Sequence, residues 1–286
     1  MTVDFVCSVC IVAVVASGLV AYLVRRWLRG RTRSERVARI GGSFLFPTEL
    51  MEASYWASRP VVGFCVLLHI SADMLTWMSL PFAAGSALGF ATRHFGVGAF
   101  FGILSAVCDL VDGMLAREQG TASDAGEVLD AALDRYGEFF ILAGLLFFYR
   151  SEPMAFVLVL LATLGSFMIS YSTAKAEALG VPPPRGAMRR HERSIYLFAG
   201  ATFVPFLAPW LERDDRLPRG LPALLAIFVI ALVSNVSAVR RFMAIARSVR
   251  QLVGAGRAAN AAAITVALMP VQPLAPIVGD GGPVNS

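Results

Sequence analysis

Long apolar segments decide what this chain can fold into. A run of about 18 or more predominantly apolar residues is long enough to cross the hydrocarbon core of a bilayer as an α-helix. We predict such helices near residues 4–24, 73–92, 96–116, 126–149, 154–174, 194–211 and 221–239. Hydrophobic residues make up 57% of the 286 residues and charged residues only 16%, which leaves no room for a large soluble domain. The sequence therefore predicts an all-α integral membrane protein.

Basic residues collect in alternate connections between these apolar segments. The stretches 25–39, 175–193 and 240–257 are rich in Arg and Lys, whereas the intervening connections carry few. Because cytoplasmic loops of membrane proteins carry an excess of Lys and Arg, we expect these stretches in the cytoplasm and the N-terminus outside. This distribution, rather than a basic patch for nucleic acid, accounts for the net charge of +5. We expect a multi-pass protein of the cytoplasmic (inner) membrane and no nucleic-acid partner.

The chain divides into four regions by composition. We predict an N-terminal transmembrane helix with its basic flank (1–30), a cytoplasmic or interfacial helical segment (31–72), the main membrane domain (73–250) and a disordered tail rich in Ala, Pro and Gly (251–286). Within the second region, Tyr55, Trp56 and Arg59 are typical of a helix lying at the membrane surface. Pro60 is expected to end that helix. Ser71 or Asp73 is expected to cap the next one.

Four aspartates stand at the ends of two adjacent apolar segments, in the pattern D-x2-D-G-x2-A-R-x8-G-x3-D-x3-D. Asp109 and Asp112 are three residues apart, and Asp130 and Asp134 are four apart, so each pair shares one face of its helix. A short hairpin through 117–126 lets the two faces meet. Four carboxylates in a low-dielectric site repel one another unless they are protonated or neutralised by cations. Oxygen ligands of this kind favour Mg²⁺, Mn²⁺ or Ca²⁺, and paired ions are usual where a phosphoryl bond is broken.

The other fixed positions of the pattern are small or cationic. Gly113 and Gly126 leave space for a phosphate or base to approach the backbone closely. Ala116 permits close helix packing, and Arg117 offers a planar fork of donors to a diphosphate. Each of these residues alone has an ordinary explanation as a packing contact or a topology arginine. Their combination at this spacing favours a functional site.

The pattern resembles the signature of the CDP-alcohol phosphotransferase family, integral membrane enzymes of phospholipid synthesis, and the resemblance extends over roughly 59–250. It implies six helices around a polar cavity open to the cytoplasm, often in a homodimer, with 4–24 as an additional N-terminal transmembrane helix. It implies that an acceptor hydroxyl attacks the β-phosphorus of a CDP-alcohol lipid and releases CMP. The family usually carries P-N-x-x-T before its first helix. Here Ala72 and Asp73 replace Pro and Asn while Thr76 is retained, so we expect a helix cap there.

The resemblance also assigns roles to the residues of the pattern. It implies that two Mg²⁺ or Mn²⁺ ions are held by Asp109, Asp112, Asp130 and Asp134. Asp134 is in addition the expected general base. The expected contacts to the cytidine diphosphate are Asp109, Asp112, Gly113, Ala116, Arg117, Thr121 and Gly126. For Thr121 a helix cap is an equally good explanation.

A second group of charged residues reads Y-x3-K-A-E-x2-G and then G-x3-R-x-E-R. It is similar to the branch of the family whose acceptors carry a phosphate, the phosphatidylinositol-phosphate and phosphatidylglycerophosphate synthases. The resemblance implies acceptor contacts from Lys175, Arg190 and Arg193, with Glu177 and Glu192 orienting the arginines through ion pairs. Arg135, directly after Asp134, is expected either to point to the same pocket or to pair with Asp130. We expect a phosphorylated polyol such as inositol 1-phosphate, with glycerol 3-phosphate or a free alcohol as alternatives. A basic cytoplasmic loop is also expected from topology alone.

A membrane cation transporter is the alternative from another functional class. Carboxylates within membrane segments also mark ion pathways. However, the four aspartates cluster at one end of two helices instead of forming a chain across the membrane, and the sequence has no inverted repeat of the kind found in transporters. The pattern therefore favours the enzyme.

Overall fold

The computed structural model describes residues 2–30, 48–184, 186–212 and 217–267, with side chains as far as residue 253, and this part is almost wholly helical. In chain order its helices are α1 (Val3–Arg29), α2 (Thr48–Leu67), α3 (Ala72–Ala91), α4 (Phe95–Gln119), α5 (Asp124–Phe148), α6 (Pro153–Ala178), α7 (Arg190–Leu211) and α8 (Leu221–Ala267). A single 3₁₀ turn at Tyr149–Ser151 joins α5 to α6.

Six of these helices, α1, α3, α4, α6, α7 and α8, are long and apolar enough to cross a membrane. Helix α5 has 25 residues, which at 1.5 Å per residue is about 37 Å and also long enough. Its apolar sequence is interrupted by Asp134, Arg135 and Glu138. Helices α3 to α8 thus form the six-helix bundle, and α1 is the additional N-terminal helix. The predicted all-α membrane fold is confirmed.

Small residues let the helices of the bundle approach closely. Helix α3 packs on both α4 and α5, and α8 packs on α6 and α7. At Gly144 of α5 a Cβ atom would lie 2.3 Å from the backbone oxygen of Ala87 in α3, and at Gly165 of α6 it would lie 2.8 Å from Ser234 of α8. Such contacts between small residues are the usual basis of helix association in membranes.

The N-terminal helix is docked at both of its ends. Near its start, the Asp4 carboxylate accepts a hydrogen bond of 3.0 Å from the backbone N–H of Val97 in the first turn of α4. Near its end, the Tyr22 hydroxyl donates to Glu52 of α2 over 3.3 Å, and the Tyr22 ring lies against Trp56. Helix α1 is therefore a fixed support between α2 and α4, although most of its surface faces outward.

Helix α2 runs through Pro60, so the prediction that this proline ends the interfacial helix is wrong. A proline inside a helix removes one backbone hydrogen bond and crowds the preceding turn. Here Val62 and Cys65, which follow the proline, are buried against Val111 and Leu115 of α4, and this packing holds the helix in one piece. Residues 31–47, which belong to the same predicted segment, lie outside the described residues.

Helix α8 continues to Ala267, beyond its predicted end near 239 and into the region 251–286 for which we expected disorder. Residues 251–267 are rich in alanine and contain no proline, and alanine has the highest helix propensity. Residues 268–286 lie outside the described part of the chain.

Candidate functional site

The four aspartates lie where the C-terminal half of α4 approaches the N-terminal half of α5. Helix α4 ends at Gly120, whose φ of 68° is a left-handed conformation that favours glycine. Helix α5 begins after Ser123, whose hydroxyl accepts a 3.2 Å hydrogen bond from the backbone N–H of Gly126. The hairpin between the helices is therefore short, and it places both pairs of carboxylates at the same end of the bundle, as the spacing predicted.

Asp112 is held from two sides. It is only 3% exposed, and its Oδ2 atom accepts a 2.7 Å hydrogen bond from the Thr76 hydroxyl of α3. Its Oδ1 atom accepts a 2.5 Å hydrogen bond from the backbone N–H of Gly113. The cap of α3 is provided by Ser71, as predicted, with a 3.2 Å hydrogen bond from the N–H of Met74. Thr76 also orients Asp112, and this role was not predicted from the sequence.

Asp130 presents an unsatisfied oxygen to the site. Its Oδ1 atom is buried and has no hydrogen-bond partner among the described residues. A buried carboxylate oxygen without a donor is unfavourable unless a cation takes that place. Together with the oxygen-only donor set of the four aspartates, this orphaned atom fits a hard divalent cation.

Arg190 connects the two aspartate-bearing helices. It is the first residue of α7, and its Nη2 atom lies 2.5 Å from Oδ2 of Asp109 on α4. Its Nη1 atom contacts Oδ1 of Asp134 on α5. Within the described residues, no three acidic side chains converge closely enough to ligate one ion. One guanidinium therefore occupies the space between carboxylates that were predicted to share cations.

Arg193 and Glu192 fix the start of α7. The Arg193 guanidinium is 3% exposed and donates to both carboxylate oxygens of Glu138 on α5, over 2.8 and 3.0 Å. The Glu192 carboxylate accepts backbone N–H bonds from Met188 (2.7 Å) and Arg189 (3.3 Å). Glu192 thus caps α7 by accepting the backbone N–H of Arg189, the residue before the helix, as the third residue of a capping box does, rather than pairing with Arg190 or Arg193 as predicted.

The other predicted acceptor residues lie further out. Arg135 is 3.8 Å from Asp134 with a half-exposed side chain. Lys175 is exposed in the last turn of α6 and makes no ion pair with the described residues. The structure therefore brings Arg190 and Arg135 to the aspartates and leaves Lys175 exposed at the rim of the site, at the end of α6.

Arg241 of α8 is a candidate that the sequence analysis assigned only to topology. It is 7% exposed, and among the described residues it makes two long hydrogen bonds of 3.4 Å, to Thr173 and to the carbonyl oxygen of Gly186. Its Nε atom is buried without a partner among the described residues. At Gly186 a Cβ atom would lie 2.8 Å from this Nε, so a larger residue there would have to displace the Arg241 side chain. A buried arginine that has no ion pair with a carboxylate in the described part of the chain is suited to hold an anion.

The predicted nucleotide contacts lie along the same two helices and the hairpin between them. Gly113 opens toward Arg117, whose Nη1 atom would lie 3.5 Å from a Cβ at position 113. Ala116 is half-buried, and its carbonyl oxygen accepts a 3.4 Å bond from the Thr121 hydroxyl, which supports the cap explanation for Thr121. The N–H of Gly126 is used in capping α5.

A small, partly open pocket adjoins Asp109 and Arg190. It has a volume of about 40 Å³, and its walls include Ser105, Asp109, Glu138, Ser166 and Arg190. This is space for roughly three water molecules while Arg190 contacts the aspartates.

Comparison with known proteins identifies the family to which the sequence is similar. Residues 69–211 match the model of the family described as CDP-alcohol phosphatidyltransferase. The phosphatidylinositol phosphate synthase of Mycolicibacterium smegmatis is 33% identical over 190 residues, which is 64% of this chain and 83% of that protein. The archaetidylinositol phosphate synthase of Methanothermobacter thermautotrophicus is 30% identical over 143 residues, which is 50% of this chain and 72% of that protein.

Solved structures give the same result for the fold. The crystal structure of the Mycobacterium tuberculosis phosphatidylinositol phosphate synthase with bound CDP-DAG superposes with a TM-score of 0.56 and 25% identity, covering 66% of this chain and 92% of that one. The segment matched by the family model is half of the chain and contains all four aspartates, Thr76 and Arg190. The chain therefore belongs to the CDP-alcohol phosphatidyltransferase family and is a membrane enzyme of phospholipid synthesis.

Proposed function

We propose that this enzyme transfers the phosphatidyl group of CDP-diacylglycerol to the hydroxyl of a phosphorylated polyol, inositol 1-phosphate, and releases CMP. The observation that carries the proposal is the contact of Arg190 with Asp109 and Asp134. It brings an anion-binding side chain to the carboxylates that serve the reacting phosphate. The relatives named above, which make phosphatidylinositol phosphate and archaetidylinositol phosphate, support the same acceptor.

In this proposal Asp109, Asp112, Asp130 and Asp134 hold two divalent cations, Mg²⁺ or Mn²⁺. Such cations neutralise the carboxylates and the diphosphate and polarise the phosphoryl oxygens. The chain's own contribution is to orient the ligands. Thr76 and the backbone of Gly113 hold Asp112 in place, and outer-shell hydrogen bonds of this kind support ligand geometry.

Asp134 is proposed as the general base that takes the proton of the acceptor hydroxyl. Its side chain is 13% exposed and lies beside Arg190, which is itself proposed to bind the acceptor. A general base must lie within hydrogen-bond reach of the proton that it removes. An acceptor whose phosphate contacts Arg190 has its hydroxyl groups close to Asp134, and this proximity supports the assignment.

The nucleotide is proposed to lie along the aspartate motif. Asp109, Asp112, Gly113, Ala116, Arg117, Thr121 and Gly126 are the proposed contacts to the cytidine diphosphate. The acceptor phosphate is proposed to contact Arg190, with Arg135 and Lys175 nearer the rim and Arg241 beneath the loop at Gly186. Arg193 is ion-paired with Glu138, and it contacts the acceptor phosphate only if this ion pair is broken.

We also propose that the site faces the cytoplasm in the cytoplasmic (inner) membrane and that the enzyme acts as a homodimer. The C-terminal end of α1 carries Arg25, Arg26 and Arg29, and α7 begins with Arg190 after Arg189. These ends lie on the same side of the bundle as the aspartates. The positive-inside rule assigns that side to the cytoplasm. The homodimer is proposed because the resemblance to the family implies it.

The test is CMP release from the purified enzyme with CDP-diacylglycerol and Mg²⁺. Inositol 1-phosphate, glycerol 3-phosphate, inositol and serine are supplied in parallel reactions. We expect release with inositol 1-phosphate and none with unphosphorylated inositol or serine. Release with glycerol 3-phosphate alone contradicts the proposed acceptor and retains the reaction. Absence of release with all four acceptors contradicts the proposed donor and acceptor together.

A further inference from the structure

One arginine contacts two carboxylates that the proposed reaction needs for its cations. The Nη2 atom of Arg190 lies 2.5 Å from Oδ2 of Asp109, and its Nη1 atom contacts Oδ1 of Asp134. The arginine side chain is 23% exposed, so the pair is partly shielded from water. Charge-assisted contacts in such an environment are strong, and a planar guanidinium is well shaped to bridge two acids.

These contacts and cation binding exclude each other at the same oxygens. While Arg190 bridges Asp109 and Asp134, no three acidic side chains of the described chain converge on one point. A cation that takes Oδ2 of Asp109 and Oδ1 of Asp134 as ligands must therefore separate Arg190 from them. The cost of breaking the two contacts lowers the affinity for the cation unless the guanidinium finds another anion.

The acceptor's phosphate is an anion suited to take that place. Arg190 is the first residue of α7, at a helix N-terminus where partial positive charge favours phosphate. A phosphate bound here draws the guanidinium away from the aspartates. Because binding energies are reciprocal, a ligand that releases the aspartates for a cation must itself bind more tightly when the cation is present.

We infer that Arg190 couples the two halves of the site: it competes with the divalent cation for Asp109 and Asp134, and the phosphate of the acceptor relieves this competition. The inference rests on the proposed function, because it takes the aspartates as cation ligands and Arg190 as an acceptor ligand. It adds that the acceptor phosphate and the cation strengthen each other's binding through one side chain, so that both are bound together before transfer.

The test is equilibrium binding of Mn²⁺ to the purified full-length enzyme, with free Mn²⁺ measured by electron paramagnetic resonance. Titrations are made without additive, with inositol 1-phosphate and with inositol, which lacks the phosphate. For the unmodified enzyme we expect inositol 1-phosphate to raise the Mn²⁺ affinity about fivefold or more, within the usual range of coupling between sites. Inositol is expected to leave it unchanged.

The decisive variant is Arg190→Gln, with Arg135→Gln as its matched control. Both remove one positive charge beside Asp134, but Arg135 lies 3.8 Å away and has no contact with Asp109. We expect Arg190→Gln to bind Mn²⁺ about tenfold more tightly than the unmodified enzyme without additive. Inositol 1-phosphate should then have at most a twofold effect. Arg135→Gln should keep the coupling at saturating inositol 1-phosphate, although the acceptor itself is expected to bind less tightly, because Arg135 is a proposed contact of its phosphate.

The possible outcomes distinguish failure of the proposed function from failure of the inference. If the unmodified enzyme binds no Mn²⁺, the proposed function fails and the inference fails with it. If it binds Mn²⁺ but inositol 1-phosphate has no effect on the affinity, the inference alone is overturned, and this needs no variant. It is also overturned if Arg190→Gln and Arg135→Gln tighten Mn²⁺ binding equally. Arg190→Lys is the second variant, and its single ammonium should give an intermediate Mn²⁺ affinity.

Discussion

Asp134 is assigned the proton transfer of the proposed reaction, and Asp134→Asn removes its basicity with little change in shape. We expect this variant to lose transfer by about a hundredfold or more, the usual contribution of a general base. Asp124→Asn is the control, because Asp124 is an exposed acid in the first turn of the same helix. CMP release measures both. Near-normal release by a folded Asp134→Asn enzyme would assign the proton transfer to another group.

Thr76 acts at the residue scale through its contact with Asp112. The substitution Thr76→Val keeps the shape of the side chain and removes the 2.7 Å hydrogen bond, whereas Thr76→Ser keeps the hydroxyl. Loss of an outer-shell partner typically weakens metal affinity tenfold to a hundredfold. We therefore expect Thr76→Val to lower Mn²⁺ affinity about tenfold and Thr76→Ser to bind nearly as the unmodified enzyme does. Equal affinities for the two variants would mean that the hydroxyl has no such role.

The sequence predicts which acids lie together, because helical spacing puts Asp109 with Asp112 and Asp130 with Asp134. Their partners from other helices could not be predicted. Thr76 reaches Asp112 across 36 positions of sequence, and Arg190 reaches Asp109 across 81. Pairings of this kind depend on how the helices pack, and no local pattern records them.

At the scale of elements, α1 packs against α4 at a contact where only glycine fits. A Cβ atom at Gly96 would lie 2.2 Å from the backbone oxygen of Asp4 and 2.6 Å from the Ser8 hydroxyl. Overpacking of this kind costs about 1–3 kcal/mol. We expect Gly96→Ala to lower the apparent melting temperature in detergent.

The matched control is Gly18→Ala on α1, where a Cβ atom would meet nothing within 4 Å. In a helix this change is neutral or slightly stabilising. Because Gly96 is about three and a half turns of helix from Asp109, CMP release at a permissive temperature should stay near normal in both variants. An unchanged melting temperature for Gly96→Ala would show that α1 does not rest on α4 in this way.

Element boundaries were less predictable than element existence. The apolar segments fixed the number and approximate position of the membrane helices because each must satisfy its backbone hydrogen bonds internally. Pro60 was expected to end α2, but the burial of Val62 and Cys65 against α4 keeps the helix continuous. Tertiary packing also explains why local propensity is a weak guide at such positions.

At the scale of the whole molecule, charge is distributed asymmetrically between the two ends of the bundle. The end that carries the aspartates also carries the basic ends of α1 and α7, whereas Arg93 and Arg150 lie at the other end. The proposed orientation therefore predicts which end of α4 is reached from outside the cell. His94 and Glu118 are both exposed and lie at opposite ends of this helix.

We expect a membrane-impermeant maleimide to label His94→Cys in intact cells above the background of the unmodified chain. Glu118→Cys should be labelled only after the membrane is opened, because the positive-inside rule places its end of the bundle in the cytoplasm. The two variants serve as controls for each other, since both sites become reachable in opened cells. Labelling of Glu118→Cys alone in intact cells would reverse the orientation and place the aspartate site outside, away from a cytoplasmic supply of nucleotide-activated lipid and phosphorylated polyol.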